Sequence, residues 1–301
     1  MKTLYYVPLL LALSIGQALA GTPINLNRDV RANAHVNIDN VKGEVTVTAW
    51  DRNTVQVSGT LGDGARPLEI EGDEHEVNIK VESGGKSGWM SWGNDTRMQA
   101  TILNIRVPKS VDVDINVVSA PVSIDGLDGG RISINTVSGR VRASARTPAI
   151  EVQSVSGNID FSGKANKADL QTVSGDIVAP TVAEKVDAQT VSGRMTVGGG
   201  PWRQASFSTV SGDVQVNGGP ARDGKIDVDS MSGDVQVQLP SDTSARLAVS
   251  TFSGEIRSDY GSASKGEDGP GKELKATIGD GNGYVHIESF SGDVKIRKQD
   301  R

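Results

Sequence analysis

The chain has 301 residues with 36 glycines, no cysteine, 31 basic and 37 acidic side chains, and a net charge of −6. This mixed, slightly acidic charge argues against a nucleic-acid partner. The absence of cysteine excludes disulfides and a lipid-anchored cysteine, so stability must come from packing and hydrogen bonds.

The first twenty residues are predicted to be a cleaved secretory signal peptide. Lys2 precedes an apolar run over residues 4–15, and Ala18-Leu19-Ala20 stands before Gly21. The apolar run is shorter than the about 20 residues that a membrane-spanning helix needs, and no longer run follows. The sequence therefore predicts export to the periplasm, the cell surface or the medium, without a transmembrane segment after cleavage.

Residues 21–117 are predicted to form divergent amino-terminal β coils. Apolar and polar residues alternate over 35–41 and over 44–50, on either side of Lys42-Gly43. Alternation of this kind is typical of strands with one buried face. The acidic residues between Glu69 and Glu76 are interpreted as a solvated strand face and turn, in preference to a metal site.

A glycine-rich segment, Ser83 to Met98, interrupts this pattern and contains Trp89, Met90 and Trp92. Two interpretations are open for these aromatic and thioether side chains. The segment can cover the open end of a stack of coils, or it can bind a sugar or another protein from the surface. We favour the cap.

Residues 118–301 carry a repeated tetrapeptide of the form Thr/Ser-x-Ser-Gly, which is present in eight copies. The glycines are 18, 18, 18, 19, 21, 21 and 38 residues apart. A period of this size predicts one structural unit stacked on itself. The predicted structural corners are Gly139, Gly157, Gly175, Gly193, Gly212, Gly233, Gly254 and Gly292.

Each glycine is predicted to separate two strands. Apolar residues stand seven and five positions before it and two positions after it, as with Ile132, Ile134 and Val141 around Gly139. The apolar residue two positions before the glycine is predicted to point inward as the chain turns. One coil cannot bury its apolar face, but coils stacked about 4.8 Å apart can. The prediction is an all-β, right-handed parallel β-solenoid (β-helix) with coils of about 18–21 residues, its hand following the general preference of parallel crossovers.

Several segments resemble the bacterial DUF4097 family, whose members carry the label "putative adhesin". The resemblance lies in the opening run from Gly43 to Asp51, in Ile105-Arg106-Val107-Pro108, and in the serial Val-Ser-Gly-Asp-Val coils. It covers nearly the whole chain after the signal peptide. It implies an exported β-solenoid of the cell envelope with no established biochemical activity.

We find no residues to assign as catalytic, cofactor-binding or metal-binding. The three histidines, His35, His75 and His286, are far apart in sequence. The repeated Ser-Gly pairs lack the flanking glycine of a nucleophile elbow. Acidic residues directly follow several corners and are interpreted as a solvated face, with cation or polysaccharide binding as the alternative: Asp176, Asp213, Asp234, Glu255 and Asp293.

The sequence supports two functional hypotheses. The first is a non-enzymatic, adhesin-like or scaffold protein of the envelope whose partner is a cell-surface glycan or an envelope protein. The second is a polysaccharide lyase or hydrolase on a β-helix, which would need carboxylates and basic side chains in one cleft. We expect a monomer, with the charged tail from Lys295 to Arg301 protecting the last coil from end-to-end association.

Overall fold

The computed structural model describes residues 21–84, 98–266 and 271–299. The predicted signal peptide and the side chains of Trp89, Met90 and Trp92 lie outside these residues. Within them the chain forms 23 strands and no helix, which confirms the all-β prediction. Accordingly, no helix in the described part of the chain is long and apolar enough to cross a membrane.

The strands of the amino-terminal part are β1 (Thr22–Asp29), β2 (His35–Trp50), β3 (Thr54–Leu61), β4 (Ile70–Gly72), β5 (Glu76–Lys80), β6 (Thr101–Pro108), β7 (Asp112–Ser119) and β8 (Val122–Asp128). Those of the middle are β9 (Ile132–Ser138), β10 (Val141–Ser156), β11 (Ile159–Ser174), β12 (Ile177–Ser192), β13 (Met195–Gly199), β14 (Trp202–Ser211), β15 (Val214–Asn217), β16 (Pro220–Ser232) and β17 (Val235–Leu239). The last six are β18 (Ala245–Ser253), β19 (Ile256–Ser258), β20 (Ser264–Lys265), β21 (Lys272–Ile278), β22 (Gly283–Ser291) and β23 (Val294–Lys298).

The middle strands pair in parallel with a register of one repeat. β10 pairs with β11 and β11 with β12, so that Val152, Leu170 and Ala188 lie above one another. The offset then becomes 19 residues between β12 and β14, where Ala188 meets Phe207, and 21 between β14 and β16. These offsets equal the spacings of the glycines, so the repeat period sets the register. The hand of the coils stays a prediction.

The core is one continuous apolar column inside the stacked coils. Phe161, Phe207 and Trp202 are among its largest fully buried side chains. Trp202 satisfies its one polar group by donating from Nε1 to the carbonyl of Val182 at 2.9 Å. Burial of apolar area at about 25 cal/mol per Å² is the main favourable contribution to folding here, because no disulfide constrains the chain.

The inward orientation predicted for the residue two positions before each glycine is wrong. Val173 is 49% exposed and Val191 44% exposed, whereas the threonine before each of them is buried. Alternation along the strand therefore continues without a change of phase to Thr172, which points inward. The change of phase takes place within the corner, where Val173 and Ser174 both face solvent.

The corners approach one another too closely for a side chain. At Gly193 the backbone φ is +148°, and an added Cβ would lie 2.0 Å from the carbonyl oxygen of Gly175 in the next coil. At Gly212 the same atom would lie 1.9 Å from the carbonyl oxygen of Gly193. Backbone contact between stacked corners, in addition to the positive φ at Gly193, requires glycine there.

The carboxyl-terminal coil is not the last coil of the stack, and this corrects the predicted role of the charged tail. β22 and β23 pair with β16 and β17 on one side and with β18 and β19 on the other. The outermost parallel coil is therefore β18–β19, and antiparallel β21 covers the edge of β18. Residues 295–299 of the tail are held inside the stack, where the Gln299 amide donates to the carbonyl of Leu239 at 2.9 Å. It cannot protect an end that it does not occupy.

The amino-terminal end shows the same arrangement. β2 lies between β5 and β6 on its outer side and β7 and β8 on its inner side, all in parallel. Antiparallel strands then finish the end, with β3 on β6, β1 on β3, and β4 on β5. At each end a coil that is terminal in sequence is internal in space.

Candidate binding groove

The exposed residues two positions before the corner form a ladder along the whole stack. The strand pairings place their neighbours one above another, so these side chains lie side by side in adjacent coils. Eight of the ten are aliphatic or methionine, and the ladder ends in two phenylalanines. We call this set the apolar ladder; in spatial order it contains Val41, Val118, Val137, Val155, Val173, Val191, Val210, Met231, Phe290 and Phe252.

The apolar ladder lines one side of a long groove with a volume of about 1480 Å³. The groove runs from the coil of Lys80, at the amino-terminal end, to the coil of Glu288. Nine parallel strand-to-strand steps of about 4.8 Å separate these coils, which gives a length of about 43 Å. Phe290 belongs to the groove, whereas Phe252 lies beyond its end.

The opposite side of the groove is a row of polar side chains four positions before the corners. In the middle of the stack these are neutral amides that donate to side chains of the same sheet face. Gln153, Gln171 and Gln189 each donate from Nε2 to the acidic side chain two residues earlier, all at 2.9 Å. Asn135 donates from Nδ2 to Asn116 Oδ1 at 3.0 Å. One N–H of each of these amides is therefore used within the protein.

The floor consists of the buried threonine and serine residues three positions before the corners. Thr172 donates from Oγ1 to the carbonyl of Gly157 at 3.3 Å. The hydroxyls of Thr136, Ser154 and Thr209 are buried and have no hydrogen-bond partner among the described residues. Because they are buried, these hydroxyls are not available to a molecule lying in the groove.

The amino-terminal end of the groove carries three cationic and two anionic side chains: Lys42, Arg66, Lys80, Asp39 and Glu82. Arg66 and Lys80 each bridge Glu82 at 3.0 Å. The hydrogen bond and charge of Lys80 hold the pKa of Glu82 below its ordinary value. Within the described part of the chain, Lys42 has no ion-pair partner, so its charge is available.

The carboxyl-terminal end of the groove is acidic. Asp229 and Glu288 are cross-strand partners, and both line the groove. Burial raises the pKa of Asp229, with smaller contributions in the same direction from the charges of Asp227 and Glu288, while His286 opposes them. Beside them, the rings of Phe290 and Phe252 stack with centroids 5.0 Å apart and planes within 3°.

Sequence reasoning missed the groove because it placed the ladder residues in the core. The available signal was the pair Val173-Ser174 and its copies, in which an apolar residue stands out of phase with the alternation before it. Trp89, Met90 and Trp92 lie outside the described residues. Ser83 and Met98, the first and last residues of the glycine-rich segment, both line the amino-terminal end of the groove.

The acidic row that follows the corners has a structural role. Oδ1 of Asp176 accepts a hydrogen bond from the backbone amide of Arg194 at 2.8 Å, and Oδ1 of Asp293 accepts one from the amide of Glu255 at 3.0 Å. Asp213 and Asp234 accept the amide of the next acidic residue in the same way. In the described part of the chain, no three His, Asp or Glu residues are grouped so as to hold a metal ion. These carboxylates complete the backbone hydrogen bonding of the corners.

The chain is an all-β repeat protein. Its parallel coils are stacked in register, and the groove beside the apolar ladder runs along the stacking axis. The family model Toastrack DUF4097 matches residues 33–297. The chain therefore belongs to the Toastrack DUF4097 family, as the resemblance indicated. No curated protein matches its sequence.

Several solved structures resemble the chain at low sequence identity. A "putative adhesin" from Bacteroides fragilis is 13% identical, with 91% of this chain and 97% of that chain covered and a TM-score of 0.43. A "putative lipid binding protein" from Parabacteroides distasonis is 11% identical, with 92% and 97% covered and a TM-score of 0.43. A "putative adhesin" from the same species is 14% identical, with 92% and 97% covered and a TM-score of 0.42. Similarities this distant do not establish what the chain binds.

Proposed function

We propose that the chain is an exported, non-enzymatic protein of the cell envelope that holds an elongated ligand in its groove, as an adhesin or a binding scaffold. The apolar ladder is the observation that carries this proposal. Soluble proteins rarely leave a continuous apolar patch of this length exposed unless a ligand or partner covers it. Nine of the ten ladder residues are more than 40% exposed, and the same position is repeated in each coil from that of β2 to that of β18. The right-handed solenoid is proposed as the rigid body that presents them.

Export is proposed from the predicted signal peptide over residues 1–20, with the periplasm, the cell surface and the medium as the possible destinations. An envelope protein or a cell-surface molecule is then the accessible class of partner. The antiparallel strands at both ends support a monomer, because β3 and β4 cover the outer edges of β6 and β5, and β21 covers that of β18, where another copy would otherwise pair.

Two measurements test this proposal. Cell fractionation of the full chain, with and without residues 1–20, tests export, and the expected result is that the shorter chain stays in the cytoplasm. Purified residues 21–301 are then screened against arrays of glycans, lipids and envelope proteins. The groove variant Val155→Gln/Val173→Gln/Val191→Gln should lose the ligand that the wild type retains, whereas Val178→Gln should keep it. Val178 is an exposed valine outside the groove. Binding that is equal in both variants would overturn the role of the groove.

A polysaccharide lyase or hydrolase is the second candidate, and Asp229 with Glu288 is the observation that favours it. Two carboxylates at one end of a cleft, one with a raised pKa, are the arrangement that glycoside hydrolysis uses. Purified protein incubated with uronic-acid polymers, with and without calcium, tests this candidate. Cleavage that Asp229→Asn abolishes would establish the enzyme and overturn the non-enzymatic proposal; intact polymers after prolonged incubation would remove the alternative.

A further inference from the structure

We propose that the groove binds a single-chain lipid with an anionic head group, with the hydrocarbon chain along the apolar ladder and the head at Lys42. This inference rests on the proposed binding function and specifies its ligand. Three properties of the groove support it: the apolar ladder, the lack of hydrogen-bonding side chains on the side of that ladder, and the opposite charges of its two ends.

The central part of the groove is neutral and straight. From the coil of Asn116 to the coil of Ser208, none of the described residues that line the groove carries a charge. Five strand-to-strand steps give this part a length of about 24 Å. A bilayer leaflet supplies about 15 Å of hydrocarbon depth to each chain, so a full acyl chain can lie extended on the ladder. Its burial against half-exposed valines removes apolar surface from water on both sides.

Hydrogen-bonding ligands find partners on only one side of this stretch. One N–H of each of Gln153, Gln171 and Gln189 already donates within the protein, and the floor hydroxyls are buried. A sugar would leave its hydroxyls unpaired on the side of the apolar ladder, and Phe290 is the one aromatic lining residue in the described part of the chain. A hydrocarbon chain needs neither hydrogen bonds nor aromatic faces.

An added peptide strand also lacks partners at the ladder. The corner amides donate to the adjacent coils, as Gly175 does to Ser192 at 3.0 Å. Strand addition requires a free row of backbone groups, and the groove runs across the coils instead of along an open strand edge. The backbone therefore favours a ligand held by side-chain contact alone.

The charges at the two ends differ and set the direction of an anionic amphiphile. At the amino-terminal end Arg66 and Lys80 bridge Glu82, and Asp39 is the second carboxylate there, so the exposed Lys42 is the cation of this end without an ion-pair partner among the described residues. Asp229 and Glu288 line the other end and would repel an anionic head. The lipid head is therefore placed at Lys42, and the chain extends toward Met231.

Binding of sodium oleate below its micellar concentration to purified residues 21–301 tests the proposal, with isothermal titration calorimetry as the measurement. Val173→Glu puts a charge into the neutral part of the ladder and should weaken binding at least about tenfold. Val178→Glu puts the same charge five residues further along the chain, outside the groove, and should change affinity less than about twofold. Circular dichroism and urea midpoints identify a variant that has not folded. Val155→Glu is the second groove variant if Val173→Glu is one of these.

The head position is tested with oleyl alcohol, which has the same chain without the charge. Lys42→Glu should weaken oleate binding about three- to fivefold and leave the alcohol unchanged. Equal effects on the acid and the alcohol would overturn the orientation. Equal binding of oleate by Val173→Glu and Val178→Glu, or no oleate binding at all, would overturn the lipid ligand. If a glycan or peptide is then lost specifically in Val173→Glu, the proposed groove function stands with another ligand. If no ligand depends on Val173, both proposals fail.

Discussion

The middle of the stack and its two ends are built from similar coils, but the spatial order of the coils follows the sequence only in the middle. In the middle, one strand such as β10 belongs to two successive coils, so neighbours in sequence must be neighbours in space. At the ends the chain returns: β22–β23 enters between two earlier coils, and β2 is enclosed by two later pairs. Residues 259–282 separate β19 from β22 and supply the length for this return. The repeat period thus specifies the register of strand pairing throughout the stack. It specifies the spatial order of the coils only where the segment that joins two successive coils is shorter than a coil.

Removing residues 283–301 should be the most damaging change, because it deletes a coil with neighbours on both sides. Val285, Ile287, Val294 and Ile296 are all fully buried. At about 1.5–3 kcal/mol for each buried side chain, the loss in free energy of unfolding should be on the order of 5 kcal/mol or more. The outer coil β18–β19 should also be released. Limited proteolysis with mass spectrometry should then find cleavage sites within the released segment, which follows Leu239.

Deletion of residues 158–175, one regular coil, is the matched control. It joins Gly157 to Asp176 and preserves the corner, so the flanking coils can meet in the same register. We expect a folded protein with a smaller reduction in the urea midpoint than the truncation gives. If the truncated chain resists protease as the deletion does, β18–β19 has docked directly on β16–β17, and the internal position of the last coil is not required.

Gly193→Val should have the next largest effect, because it combines a backbone contact with a positive φ. An added Cβ would meet the carbonyl oxygen of Gly175 at 2.0 Å, and strain alone costs on the order of 1–3 kcal/mol. Gly126→Val, in β8, adds a side chain at φ +79° where the nearest atom is 3.6 Å away, so it should cost less. Arg194→Ser should change stability by less than about 0.5 kcal/mol, since its backbone amide still donates to Asp176. Equal shifts of the urea midpoint for the three variants would contradict the close approach of the corners.

Asp73→Asn should have the smallest effect, a slightly lower urea midpoint at neutral pH that disappears in acid. Oδ1 of Asp73 accepts the backbone amides of His75 at 2.7 Å and Glu76 at 3.0 Å, and these hydrogen bonds lower the pKa of its carboxyl group. A carboxyl with a lowered pKa stabilises the fold above its ordinary value of about 4, and this contribution disappears as pH falls through the folded pKa. Urea midpoints from pH 7 to pH 2 should therefore fall less steeply for Asp73→Asn than for the wild type. Parallel curves would show that the turn contributes nothing.

The regular part of the fold could be predicted from sequence because each coil repeats the pattern of the last. The spacings between the corner glycines predict the register of pairs such as Val152 and Leu170, which the strand pairing confirms. Whether the side chain of Val173 points into the core or to solvent could not be predicted in the same way. The alternation of apolar and polar residues does not show where within a corner its phase changes. The position of Val285 in the stack could not be predicted either. The apolar face of its coil is compatible with any neighbouring coil, so the sequence does not specify which coils lie beside it. The groove was not predicted, because Val173 and its copies, which line it, were expected to point into the core.

The internal position of the last coil has a consequence for the order in which the protein can be completed. Residues 245–258 leave the ribosome, and on the proposed route cross the membrane, before the strands that they pair with in parallel. Until residues 283–298 arrive, this segment has no parallel neighbour in its final position, and the apolar faces of β16 and β17 stay uncovered. Residues 283–298 thus close two surfaces at once. A chain interrupted before residue 283 would keep both surfaces open and would be recognisable to proteases as unfinished.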